Sequence, residues 1–166
     1  MKSFEEIKEL LLSTFGEEII LGDDLNCTPN AILVDPKKID IVGQELQNNE
    51  ATYFDSLSCL TGLDNGPEKD TMEVIYNLFS IPYEVSLTLK VELARDNPRL
   101  PTVSTLWRTA DWHEREAFDL LGIEFEGHLD LRRILMPADW EGHPLRKDYA
   151  EPERYRGMET VRNEDE

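Results

Sequence analysis

From Val85 to Leu93, the apolar residues Val85, Leu87, Leu89, Val91 and Leu93 alternate with Ser86, Thr88, Lys90 and Glu92. A period of two places successive side chains on opposite faces of an extended chain, so this segment must be a strand with one face on a core. It has an upstream neighbour. "TYFDSLSCLTGL" (52–63) has strand character and runs into the dense turn signal Asp64-Asn65-Gly66-Pro67, after which "TMEVIYNLFS" (71–80) resumes an apolar strand. The pair predicts a hairpin.

Helical spacing frames this sheet. Ser3 followed by Glu6 forms a capping-box pattern, and Phe4, Ile7, Leu10, Leu11 and Phe15 recur at helical spacing until Gly16, which predicts a helix over 3–15. "NAILVDP" reads as a short buried strand, and Pro36 opens a second helix over 36–48 with Ile39, Val42 and Leu46 on one face. Leu106, Trp107, Ala110, Ala117, Phe118 and Leu121 suit a helical region over 103–121, with a break near Asp111 and a stop at Gly122. Beyond Gly122, Pro137, Pro144 and Pro152 and little periodicity predict a loop-rich, extended tail. Helices against a hairpin-rich antiparallel sheet make a two-layer α+β domain, and 166 residues suffice for one such core. The expected division is a core domain over 1–125 and a loop-rich docking segment over 126–166.

The net charge of −18 argues against a nucleic-acid binder, since a phosphate backbone is held by clustered cations. Residues 127–149 depart from it: Arg132, Arg133, Arg146 and Lys147 balance Asp130, Asp139, Glu141 and Asp148, leaving a neutral island on an acidic chain. No apolar run approaches the roughly 20 residues of a bilayer crossing. The N-terminal "MKSFEEIKEL" lacks the apolar core of a signal peptide, so the protein is expected to stay in the cytoplasm. Cys27 and Cys59 read as reduced core thiols.

The same segment contains Glu-Gly-His twice, at 126–128 and 141–143. His113-Glu114 begins like the zinc-protease pattern H-E-x-x-H, but position 117 is alanine, so the second ligand is missing and His113 reads as a half-exposed helix residue. His128 and His143 follow glycines in proline-rich loops with no thiol near, which favours structural roles over metal binding. None of the nine glycines forms a Gly-x-Gly, and two distant cysteines cannot supply the four ligands of an iron–sulfur cluster, so no cofactor is expected in this chain. Arg115 lies one helical turn from Asp111 and Asp119 and reads as their ion-pair partner, while Glu114 and Glu116 point to different sides of the helix. Arginines flanked by Trp140, Tyr149 and aliphatic residues match the composition of interface anchors. Arg132, Arg133, Trp140, His143, Arg146 and Lys147 are therefore the candidate partner-docking residues; the alternative is a self-salt-bridged tail folded onto the acidic domain.

"DWHEREAFDLLGIEFEGHLDLRRILMPADWEGHPLRKDY" (111–149) closely resembles the signature of the 30-kDa, or C, subunit family of respiratory complex I, the proton-translocating NADH-quinone oxidoreductase. Its carriers include Glu114, Arg115, Glu116, Asp119, Gly122, Gly127, His128 and Asp130, followed by Leu131-Arg132-Arg133-Ile134-Leu135 and Gly142-His143-Pro144-Leu145-Arg146-Lys147-Asp148. Leu129 stands where the family often has proline, and Leu121 where it often has phenylalanine. The resemblance implies a two-layer α/β sandwich with a mixed, largely antiparallel sheet and an extended C-terminal tail. It implies a non-catalytic structural and assembly subunit without a cofactor of its own, FMN and the Fe-S clusters belonging to partner subunits. The implied partners are the large quinone-site subunit and neighbouring Fe-S subunits, in a hetero-oligomer at the cytoplasmic side of the membrane. The equivalent subunit of a membrane-bound hydrogenase, or of a ferredoxin- or F420H2-linked complex, is an alternative, as is a stand-alone metallohydrolase using His113, His128 and His143.

Overall fold

The computed structural model describes residues 2–27 and 29–160. Positions 161–166, the end of the expected docking segment, lie outside the described residues.

The first helix, α1 (Phe4–Phe15), starts as the sequence dictates: the Ser3 hydroxyl accepts from the Glu6 N–H, and the Glu6 carboxylate accepts from the Ser3 N–H at 2.7 Å. Strand β1 (Ile20–Asp24) then pairs antiparallel with β2 (Ala31–Val34). The predicted helix over 36–48 divides into a 3-10 turn at Pro36–Lys38, capped by Asp35, and α2 (Ile39–Asn48). The hairpin signal is realised by β3 (Ser56–Asp64) and β4 (Thr71–Ser80), which continue through a second hairpin into β5 (Val85–Ala94).

These strands form one sheet in the order β1-β2-β5-β4-β3, antiparallel except where β2 runs parallel to β5, with Ile32 beside Leu89. The architecture is α+β with a mixed, largely antiparallel sheet. The parallel pair arises because the chain leaves β2 through α2 and the β3–β4 hairpin before returning, and such a crossover leaves no local turn signal. On the covered face, Ile7, Leu11, Ile39, Val42 and Leu46 from the helices meet Leu60, Met72, Val74, Leu78, Leu89 and Val91 from the strands. On the opposite face, Lys90 bridges Asp24 at 3.2 Å and Glu73 at 2.9 Å. Cys27 and Cys59 are free thiols but only half-buried, not core residues: Cys27 donates to Asp24, and Cys59 lies beside a register shift in β3.

β3 is an edge strand, and side chains from the following segment take up outward groups of it and of the residues leading into it. After β6 (Arg99–Pro101) the chain makes tight turns, then helix α3 runs from Ala110 to Leu121. The expected helical region over 103–121 is corrected here. Residues 103–109 are turns because Trp107 and Thr109 point back at the sheet, the indole N–H donating to the Phe54 carbonyl at 3.0 Å and the hydroxyl to the Leu57 carbonyl at 3.0 Å. His113 Nδ1 accepts the Leu60 N–H at 3.2 Å. These three side chains blunt the edge that would otherwise invite strand pairing. Gly62 lets α3 come close, since a Cβ there would lie 2.6 Å from Leu121 Cδ1. The chain then forms β7 (Glu124–Glu126), parallel to β6, and ends in a small hairpin of β8 (Arg154–Tyr155) and β9 (Met158–Glu159).

Candidate docking site

The segment from Glu126 to Tyr149 is a strap around α3, and its two Glu-Gly-His copies bracket the helix. At the N-terminal end, His128 Nδ1 accepts the Asp130 N–H at 3.0 Å, which leaves Nε2 to donate to the Asp111 carbonyl at 3.2 Å and carboxylate at 3.0 Å. At the C-terminal end, His143 Nδ1 donates to the Asp119 carbonyl at 3.0 Å. Burial, with Arg146 and Arg133 nearby, lowers the pKa of His143.

The last carbonyls of a helix lack intrahelical partners and carry negative partial charge, so they favour cationic donors. The strap supplies them. Arg133 Nη1 reaches the Asp119 carbonyl at 3.2 Å, the Leu145 N–H donates to Leu120 at 2.9 Å, and Arg146 Nε donates to Leu121 at 2.7 Å. Gly122 closes the helix in the left-handed region at φ 76°, and a Cβ there would lie 2.6 Å from His143 Nε2.

Two buried carboxylates pin the strap. Asp119 Oδ2 accepts the N–H groups of Ile134, Leu135 and Met136 at 3.0, 2.7 and 2.8 Å, while Oδ1 pairs with Arg133 at 2.7 Å. Burial opposes the Asp119 charge, but these N–H groups and the guanidinium outweigh it and hold the carboxyl below its usual range. Asp64 is held bidentately by Arg95 at 2.8 and 3.1 Å and accepts the Lys147 N–H at 2.8 Å; Arg95 also pairs with Asp148. Further along, Trp140 donates to the Tyr149 hydroxyl at 2.9 Å and packs on Tyr155, with ring centroids 4.9 Å apart.

Thus Arg133, Trp140, His143, Arg146 and Lys147 come together within the chain, while the Arg132 side chain stays 72% exposed beside Asp130. The expected pairing of Arg115 with Asp111 and Asp119 is corrected: Asp111 faces His128, Asp119 faces the strap, and Arg115 lies 5.2 Å from the Trp112 ring centroid with Nε toward the Arg132 carbonyl at 3.4 Å. Glu114 is fully buried, accepting from the Thr102 hydroxyl and from the Val103 N–H at 2.8 Å, with His128 Nε2 at 3.9 Å. Burial pushes its pKa up to about 7 against those hydrogen bonds. Glu116 is exposed on the other side of α3.

The strap-pinning roles of Asp64 and Arg95 and the edge-capping role of His113 carry no local sequence signal. Their partners lie 31 to 83 positions away along the chain, where no spacing rule reaches. The three histidines fall at three separate places. No group of three or more metal-ligating side chains forms among the described residues.

Fold and site together define an α+β scaffold whose surface strap is shaped by arginines, histidines and two buried aspartates. Residues 32–155 match the family described as respiratory-chain NADH dehydrogenase, 30 Kd subunit, and the chain belongs to that family. The C subunit of NADH-quinone oxidoreductase from Chloroherpeton thalassium is 47% identical over 116 residues, 69% of this chain and 48% of that protein. Its namesake in Chlorobium phaeobacteroides is 36% identical over 153 residues, 92% of each chain. A solved chain described as "Nqo5 of the trypsin-resistant fragment (1-134)" superposes with a TM-score of 0.52 at 32% identity, over 61% of this chain and 82% of that one. A chain of the membrane-bound sulfane sulfur reductase, an archaeal respiratory membrane complex, gives 0.71 at 22% identity over 88% and 85%, a likeness of fold alone. This chain spans about half of the first relative and nearly all of the second.

Proposed function

We propose that this chain is a non-catalytic structural and assembly subunit in the peripheral arm of a proton-translocating NADH-quinone oxidoreductase. It docks on the large quinone-site subunit and supports electron transfer from NADH, through FMN and Fe-S clusters of other subunits, to quinone. The family match across residues 32–155, which spans both the sheet and the strap, carries this reading. In this reading the complex sits on the cytoplasmic side of the membrane and this chain is peripheral; among the described residues no helix is long and apolar enough to cross a bilayer. Arg132 and the outer faces of Trp140 and Lys147 contact the partner. Arg133, His143 and Arg146 act mainly by fixing the strap's shape. A related membrane-bound hydrogenase or ferredoxin- or F420H2-linked complex is the second reading, drawing on the recurrence of this fold in a sulfane sulfur reductase. Identification of the co-assembled electron-input subunit separates the two.

The test is His128→Gln and His143→Gln in the assembled complex. Quinone reduction should fall only in proportion to the amount of complex recovered, with turnover per complex unchanged. A loss of roughly 100-fold in turnover at full assembly would assign the histidines to catalysis, since general acid–base groups contribute about 10²- to 10⁴-fold.

A further inference from the structure

A groove of about 530 Å³ lies at the N-terminal end of α3, with Trp112 on one wall and Leu129 on the other. Leu129 is 94% exposed and Trp112 58% exposed, although both are large apolar side chains. Leu129 stands on a braced loop: the residues on either side of it, His128 and Asp130, are joined by the Asp130 N–H bond to Nδ1, and His128 is in turn fixed to Asp111. Trp112 is backed by the Arg115 guanidinium. Two apolar groups presented on braced supports lose little freedom when covered, which is the property of an interface anchor.

Of the charged residues that line the groove, Asp111 is engaged by His128 and Arg108 is not engaged, and Arg115 stands behind Trp112. Arg115 is 8% exposed, yet among the described residues it has no carboxylate partner, because Asp111 and Asp119 are taken by His128 and Arg133. Its hydrogen bond is a long one to the Arg132 carbonyl. Arg108, which also lines the groove, is exposed and makes no ion pair among the described residues. A buried guanidinium without a counter-charge is costly unless something supplies one.

We infer that this groove is a docking site for a protein segment that sets a large apolar side chain between Trp112 and Leu129 and a carboxylate against Arg108, with the positive charge of Arg115 behind Trp112. The inference rests on the subunit reading and deepens it, naming a contact outside the six candidate docking residues of the strap. The acidic remainder of the chain repels a carboxylate, so this is one of the few places where an acidic partner segment can approach.

The test uses the complex purified from native membranes, with a photo-crosslinking amino acid at position 129 and, as a control, at Ile81, another large apolar side chain, 61% exposed in the β4–β5 turn. Position 129 should crosslink to a partner chain, at a peptide with a large apolar residue and an aspartate or glutamate within a few positions, and position 81 should not. Trp112→Ala and Arg108→Glu should each lower the recovered complex by about tenfold or more while the free chain melts as the wild type does. Reversing the crosslinked carboxylate to arginine in the partner should restore assembly of Arg108→Glu. Normal assembly of both variants, or a position-129 residue that reacts with no partner, would overturn the docking site and leave the subunit reading standing. If the wild-type chain is recovered without any partner, the reading itself fails and the docking site falls with it.

Discussion

Asp119, itself fully buried, sits in the last turns of α3 with three strap N–H groups on one carboxylate oxygen and the partly buried Arg133 on the other. Asp119→Ala removes four bonds at once and leaves the partly buried Arg133 guanidinium without its carboxylate, holding only carbonyl oxygens. The expected cost is about 3–5 kcal/mol, seen as a fall in melting temperature of roughly 10 °C. An unchanged melting curve would mean that the strap contributes nothing to the folded state. Glu114 gives the opposite dependence on acidity. Burial raises its pKa from the ordinary 4.5 to about 7, so the folded chain takes up this proton more readily than the unfolded one. Its contribution is complete below pH 4.5 and is lost as pH rises through about 7, on the order of 3 kcal/mol at most. Glu114→Gln, which stays neutral, should therefore melt progressively higher relative to wild type as the buffer is moved from about pH 5.5 to about pH 8.5. A difference that does not change with pH would show that Glu114 does not titrate in this range.

At the scale of elements, α3 is a strut with the sheet edge along one side and the strap along the other. Much of the frame was legible because its signals are local: the Ser3–Glu6 box starts α1, the period-two segment is β5, and Asp64-Asn65-Gly66-Pro67 turns β3 into β4. The parallel β2–β5 and β6–β7 pairs were not legible from spacing, because their partners are separated by whole elements. The start of α3 was misread because Leu106 and Trp107 fit a helical face, while their positions are set by contacts with α2 and the Phe54 carbonyl. In the site, the residue types stood out, but their directions did not: spacing alone pairs Arg115 with Asp119, whereas the strap's three N–H groups and Arg133 claim that carboxylate. The pinning has a consequence for proteolysis. Because the Lys147 N–H is held by Asp64 and Arg146 by the end of α3, trypsin should spare the 146–147 bond in the free wild-type chain and cut first near Arg154 and Arg156. Asp119→Asn should open the 146–147 bond to cleavage. Early cleavage there in the wild-type chain would show that the strap is ordered only by a partner.

On the scale of the molecule, an acidic chain carries a neutral strap and an arginine-flanked groove, both gathered around α3. A net charge of −18 disfavours acidic neighbours, so in the proposed docking a partner's carboxylates are expected at the arginines on this side. Assembly should consequently weaken for Arg132→Glu more than for Arg132→Ala, while the free chain keeps its stability, because this side chain is largely exposed. Equal recovery of complex with both variants would remove Arg132 from the contact. Whether the chain is a docking subunit of a redox complex is decided by purifying it from native membranes in mild detergent and identifying every chain that co-elutes. A stable hetero-oligomer holding the large quinone-site subunit together with flavin- and Fe-S-carrying chains is expected; recovery of the protein alone, or only with copies of itself, would contradict the proposed function.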